Sequence, residues 1–192
     1  MQLPLFPLSS VVLPGGLMPL RLFERRYIDM VKDCFRNGSG FGICLIRNGS
    51  ETGAPSEPYP MGTSVSIIDF DQGSDGLLQI TARGEEEFKV LTYTSNDAGL
   101  ILGEVEMLPA KPVTPMQADY ELLAKKLELI LSYLETDTRF EEQHLDDADW
   151  VCHRLLEVLP LAPDAKYELI QMSSNTDRLQ ALSGLQIEIA ER

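Results

Sequence analysis

Two prolines inside the first apolar run restrict how this chain can begin to fold. Residues 3–8 read Leu-Pro-Leu-Phe-Pro-Leu. Each proline disfavours the α region in the residue before it and removes a backbone donor, so a segment this apolar must be buried in extended form. Val11, Val12 and Leu13 make a short β-branched-rich run that Pro14-Gly15-Gly16 cuts off as a turn signal. A further run, Leu17 to Phe23, then feeds a helix beginning near Glu24. Extended segment, tight turn, extended segment and helix make one packing unit. The residues alone leave open whether it founds a core or forms one wall of a recognition surface.

Downstream, Tyr27, Val31, Cys34 and Phe35 recur at spacings of three and four, with Ile28 beside them, which predicts a helix over Glu24 to Arg36. Asn37-Gly38-Ser39-Gly40 ends it with residues suited to a left-handed cap. Phe41 to Ile46 is a continuous apolar run expected to be a buried strand, and Arg47 to Pro60, with Gly49, Gly53, Pro55, Pro58 and Pro60, reads as a long surface loop. Strands return over Met61 to Val90, with a hairpin turn at Asp71 to Gly76, a return strand from Leu77 to Ala82 and another beginning at Phe88 after Gly84. Leu100 to Met107 is the last strand. Several strands with one helix among them predict a mostly antiparallel barrel or sandwich.

Leu108 to Pro115 holds three prolines and reads as a stiff linker, dividing a β-rich domain at residues 1–110 from a helical bundle at residues 116–192. In the second part, Leu122, Leu123, Leu127, Ile130, Leu131 and Leu134 form a helical stripe, and Trp150, Val151, Leu155, Leu156 and Leu159 another, behind the acidic start Asp146, Asp147 and Asp149. Asp164 is expected to cap a helix through Met172, and Asn175 to Asp177 a last one carrying Leu179, Leu182, Leu185 and Ile189. The expected class is α+β.

Charge and chemistry narrow the function. Sixteen Lys and Arg against thirty Asp and Glu give a net charge of −14, which repels nucleic-acid phosphates and anionic membranes alike. The densest cationic cluster is Arg21, Arg25 and Arg26. No apolar run reaches the roughly 18–20 residues of a membrane span, and the Pro-broken N-terminus lacks the basic region of a signal peptide. Three widely spaced cysteines, Cys34, Cys44 and Cys152, give neither a disulfide framework nor a zinc pattern, so the expected compartment is the reducing cytoplasm. The two histidines, His144 and His153, lie in the helical part. Cys152 and His153 are neighbours, which on a helix point about 100° apart, so a Cys–His catalytic pair is disfavoured against a buried Cys beside a half-exposed His. No phosphate-cradling loop occurs, and the acidic runs at Glu85 to Glu87, Glu141-Glu142 and Asp146-Asp147 read as solvated surface. No catalytic centre, cofactor or metal is expected. A Pro- and Gly-broken apolar segment, a long loop and a sheet edge suit capture of an extended peptide.

The order of residues carries more. LPLFPLSSVVLPGGLMPLRLFERRYIDMV resembles the opening of the Lon protease N-terminal domain family: Leu-Pro-x-x-Pro-Leu, a Pro-Gly turn, Pro-Leu and an aromatic-rich helix start. Tyr59, Gly62-Thr63, Asp75-Gly76 before Leu77 to Ile80, and Gly84 before Phe88 follow in the right order, as does LLEVLPLAPDAKYELI within Trp150 to Ile170. The resemblance covers nearly the whole chain. It implies a PUA-like pseudo-barrel followed by a helical bundle, and a stand-alone substrate-binding domain without the ATPase and Ser–Lys peptidase domains. The Cys pairs of the zinc-bearing domain in related cereblon proteins are missing. Where the family tends to carry an Arg before the Phe of its third β segment, this chain has Glu86-Glu87-Phe88.

The resulting expectation is a non-enzymatic module that captures exposed apolar or extended polypeptide. The candidate residues are Leu17, Met18, Leu20 and Phe23, rimmed by the Glu51 to Tyr59 loop, and any of them fits a core equally well. Expected partners are polypeptide clients or a protease or chaperone, with self-association as a further expectation, and basic or neutral apolar clients are favoured over acidic ones. An RNA-binding PUA-like module, or a small-molecule pocket between the two parts, are the alternatives.

Overall fold

The computed structural model describes residues 1–133 and 143–185, and the chain divides into two compact units, Met1–Ala110 and Lys111–Arg192. The first contains β1 (Gln2–Leu8), β2 (Leu17–Leu22), α1 (Arg25–Asn37), β3 (Phe41–Asn48), β4 (Glu57–Gln72), β5 (Leu78–Ser95) and β6 (Ile101–Met107). The strand order is β2-β5-β4-β3-β1-β6, and β5 also pairs with β6. Hydrogen bonding therefore runs round a closed circuit, β5-β4-β3-β1-β6 and back to β5, with β2 attached to β5 outside it. Only β1 and β3 run parallel; the other pairings are antiparallel.

Successive side chains on a strand point to opposite faces, and β1 uses both. Phe6 and Leu8 enter one core with Tyr27, Met30, Val31 and Cys34 of α1, while Leu3 and Leu5 enter another with Phe88, Val90, Ile101 and Val105. β3 does the same, with Phe41 and Ile43 on one side and Cys44 on the other. Strands buried on both faces read as continuous apolar runs. Space for Phe88 is made by residues without side chains: a Cβ on Gly42 would lie 2.6 Å from Phe88 Cζ and 2.8 Å from Leu5 Cδ2, and one on Gly62 would lie 2.6 Å from Phe88 Cζ.

The structure revises several boundaries. The expected loop from Arg47 to Pro60 shrinks to residues 49–56, because β3 runs to Asn48 and β4 starts at Glu57. The two strands expected on either side of Gly84 are one, β5. The N-terminal turn docks on it there: Gly84 N–H donates to Gly16 O (2.8 Å), Gly15 N–H donates to Gly84 O (2.9 Å), and a Cβ on Gly84 would collide with Leu13 O. Val11, Val12 and Leu13 are buried but belong to the β1–β2 connection, not to a strand. Glu85 and Glu86 are exposed, but Glu87 is buried, where β5 passes a register shift against β4. On α1 the predicted stripe holds for Tyr27, Val31 and Cys34, whereas Phe35 is exposed and meets Phe70 edge-on at 5.1 Å.

The second unit contains a short 3₁₀ turn (Ala118–Tyr120), α2 (Glu121–Tyr133), α3 (Ala148–Val158), α4 (Pro163–Gln171) and α5 (Asn175–Ser183). α3 is the central helix, packed on α2, α4 and α5, and Trp150, Val151, Leu155 and Leu156 are buried on it together with His153 and Arg154. Its N-cap is Asp147, whose carboxylate accepts Asp149 N–H at 3.0 Å. The expected caps of the later helices shift: Ala162 precedes Pro163 at the start of α4, so Asp164 lies inside the first turn, and Ser174, not Asn175, caps α5 by accepting Asp177 N–H. Arg178, fully buried on α5, donates to Leu169 O, Ile170 O and Met172 O, satisfying carbonyls that the end of α4 leaves open. Leu122 is exposed, contrary to its place in the expected stripe; Leu134, Glu141, Glu142 and Ile189 lie outside the described residues. The last part of the proline segment pairs with the start of α3 through Met116 N–H to Asp146 O and Ala148 N–H to Thr114 O.

The glycine-walled packing yields a prediction. Gly42→Ala should cost about 1–3 kcal/mol through overpacking, read as a lower urea midpoint. Combining it with Phe88→Leu should cost less than the sum of the two single changes, because both act on one contact.

Candidate functional site

Where β2 leaves β5 and turns into α1, the first unit has a cleft of about 250 Å³. Its walls come from Phe6, Leu8 and Ser10 of β1 and its exit, residues 18–22 of β2, Phe23 and Glu24 at the start of α1, Tyr27 on α1, and Glu51 from residues 49–56. In the floor, the Phe6 and Tyr27 rings stack at 3.8 Å with 18° between their planes. The Arg26 guanidinium lies over the Tyr27 ring at 4.7 Å from its centre and is held by donating to Gly99 O (2.9 Å) and to Glu24 Oε1 (3.1 Å). Burial pushes the Tyr27 phenol above its ordinary pKa; Arg26 works against this, and Glu24 and Glu51 add to it.

Phe23 is 58% exposed, Met18 is half-buried and Leu20 is buried, so these three form a graded wall from rim to floor. Glu51 is exposed and tethered, its Oε1 accepting Ser9 N–H at 2.7 Å and the Ser9 hydroxyl. Arg21 pairs with Asp75 of the β4–β5 turn. Of the residues singled out from sequence, Met18, Leu20, Phe23 and Glu51 meet in this cleft. Leu17 does not line it, and Tyr59 is buried within β4, so it forms no rim. Sequence reasoning missed Phe6, Leu8 and Tyr27. Phe6 and Leu8 share one face by strand alternation, and Tyr27 belongs to the apolar stripe of α1 with Val31 and Cys34, so both signals are present in the pattern. A larger cleft in the second unit, of about 820 Å³, is lined by residues that include Val113, Glu121, Lys125, His144 and Asp146.

A family model described as the ATP-dependent protease La (LON) substrate-binding domain matches residues 2–185. This chain belongs to that family. A Lon protease of Anaeromyxobacter dehalogenans (strain 2CP-C) is 21% identical over 189 residues, covering 97% of this chain and 20% of the relative. Cereblon of Gallus gallus is 25% identical over 130 residues, covering 65% of this chain and 28% of the relative. The chain thus spans about a fifth of the length of the Lon proteases it matches. A solved Lon N-terminal domain protein from Xanthomonas campestris superposes with a TM-score of 0.78 at 41% identity, over 95% of this chain and 97% of that one. The N-terminal domain of a Mycobacterium avium complex Lon protease, at 16% identity and a TM-score of 0.64 over 95% and 96% of the two chains, shares the fold.

Within this LON substrate-binding domain the reactive side-chain types are placed for packing. Cys34, Cys44 and Cys152 are free and buried, and burial pushes the Cys44 and Cys152 thiols up to about 12. A thiolate is the nucleophilic form, so these groups are held in their unreactive state. His153 is buried rather than half-exposed, with Nε2 at 3.8 Å from Asp149 Oδ1 on the same helix. Among the described residues, no group of three or more His, Cys, Asp and Glu is arranged to hold a metal ion, and no helix is long and apolar enough to cross a membrane. At the Glu86-Glu87-Phe88 departure, Glu87, the residue before the Phe, is buried beside the fully buried Phe88, while Glu86 is exposed.

Thiol accessibility checks this burial. The native protein at about pH 8 should leave its cysteines unmodified by a disulfide reagent over minutes, and denaturant should expose all three. Rapid native modification would show an open route to one of them.

Proposed function

We propose that this LON substrate-binding domain is a non-enzymatic recognition module that lodges an exposed apolar side chain of a polypeptide in the β2–α1 cleft. One observation carries the reading: Phe23, a large aromatic, stands 58% exposed at the rim of a concave apolar wall formed with Met18 and Leu20. An exposed aromatic beside a preformed hollow is the kind of anchor that dominates recognition energy. The family description as substrate-binding supports it. We read the closed strand circuit as the PUA-like pseudo-barrel and the helical unit as a bundle serving as scaffold. Its partners are polypeptide clients or a protease acting with it, and three free thiols suit a reducing, cytoplasmic setting.

Two substitutions separate recognition from packing. Phe23→Ala should leave the melting temperature nearly unchanged, because the ring is largely exposed, while weakening binding of a labelled apolar peptide by about fivefold to thirtyfold. Leu20→Ala should instead destabilise the fold by about 2–4 kcal/mol. Unchanged peptide affinity in Phe23→Ala, measured by fluorescence anisotropy, rejects the cleft as the binding site.

A further inference from the structure

The charges at the mouth of the cleft do not balance. Arg21 is paired with Asp75 and Glu24 with Arg26. Glu51 receives only the neutral donors of Ser9; among the described residues no Lys, Arg or His forms an ion pair with it. One carboxylate therefore faces the mouth uncompensated, on a unit with eight Lys and Arg against fourteen Asp and Glu. The surrounding field has the same sign and draws in cations.

The walls suit the same guest. A basic side chain has an apolar stem and a charged head, and it covers hydrophobic surface while keeping the head at a polar edge. Here Phe23 and Met18 offer that surface, and the exposed Phe23 ring lines the same hollow as Glu51; ring faces attract cations. At about 250 Å³ the cleft falls below the roughly 300 Å³ at which small-molecule pockets begin, so it fits one or two side chains. β2 pairs only with β5, which leaves it an open edge, but Pro19 has no N–H to offer a further strand. Selection then falls to side chains.

We infer that the cleft selects polypeptide segments in which a basic side chain flanks an apolar one, with Glu51 as the selecting group. This deepens the polypeptide-recognition reading and rests on it. Acidic segments are excluded by the same carboxylate, and neutral apolar segments bind without the electrostatic contribution.

A charge cycle tests it. Three labelled peptides share one sequence around a central apolar pair, with the flanking position Lys, norleucine or Glu. Each is titrated by anisotropy against the wild-type chain, Glu51→Gln and Glu51→Lys, at low and at high salt. Gln keeps an acceptor oxygen for Ser9, so it removes the charge without removing the tether. Expected is a preference for Lys over norleucine of about threefold to fivefold at low salt, shrinking at high salt, absent in Glu51→Gln and turned towards the Glu peptide in Glu51→Lys. Equal binding of the Lys and norleucine peptides by the wild-type chain overturns the inference, as does a Lys preference that survives in Glu51→Gln. Should the norleucine peptide bind in a Phe23-dependent way with no Lys preference, only the charge selection falls. Should none of the peptides bind, the polypeptide reading falls with it. Thermal melts of each variant confirm folding, and Glu51→Gln decides alone if Glu51→Lys does not fold.

Discussion

Leu5 and Phe6 are consecutive residues that enter two separate cores. β1 lies between β3 and β6 in the strand circuit, pairing with β6 over Gln2 to Leu5 and with β3 over Leu5 to Leu8, and its leucines and Phe6 are buried on both faces. The remainder of the first unit depends on that arrangement. On one side Phe6 stacks on Tyr27 and fixes α1 to the sheet; on the other Leu5 meets Phe88 in a space that Gly42, Gly62 and Gly103 keep clear. The two prolines of β1 fit this use, since extended φ suits both and the buried apolar surface favours the strand by roughly 25 cal/mol per Å² removed from water.

The cleft is a by-product of how β2 is attached. Because β2 lies outside the closed circuit, held to β5 and by the Gly15-Gly16 turn on Gly84, its outward residues have no neighbouring strand to cover them. Leu20 and Leu22 point inward and are buried, Met18 on the same face packs partly against their core, and Phe23 just past the strand stays open to solvent. The chain then turns into α1, and Glu51 is brought across by Ser9 at the end of β1. Three segments distant in sequence thus converge on one hollow with Phe6 and Tyr27 in its floor, Phe23 at its rim, and two carboxylates, of which Glu24 is paired with Arg26 and Glu51 is held by Ser9.

Much of this was legible beforehand. The helix from Glu24, its left-handed end at Gly38 (φ 60°), the buried β3 run and the hairpin at Asp71 to Gly76 follow from periodicity and turn chemistry. The candidates Met18, Leu20, Phe23 and Glu51 also converge as a group. Other expectations failed for identifiable reasons. Gly84 reads as a strand break, but it is a mid-strand position where another backbone comes close. Pro58 and Tyr59 read as loop, but partner strands absorb them into β4. Phe35 and Leu122 fit a helical stripe by spacing alone, yet both are exposed, Phe35 meeting only the edge of the Phe70 ring among the described aromatic side chains. The buried Arg178 was invisible, because its partners are carbonyls at the end of another helix.

Local chemistry along the chain is therefore enough to specify the elements: proline and glycine set which conformations are allowed, and apolar spacing sets which faces seek burial. Those properties belong to residues and their immediate neighbours. Which strand closes the circuit, which glycine receives a foreign backbone and which apolar side chain stays wet depend on partners far away in sequence. Only the folded arrangement supplies them, and it alone turns Phe23 and Glu51 from members of a run and a loop into two sides of one cleft.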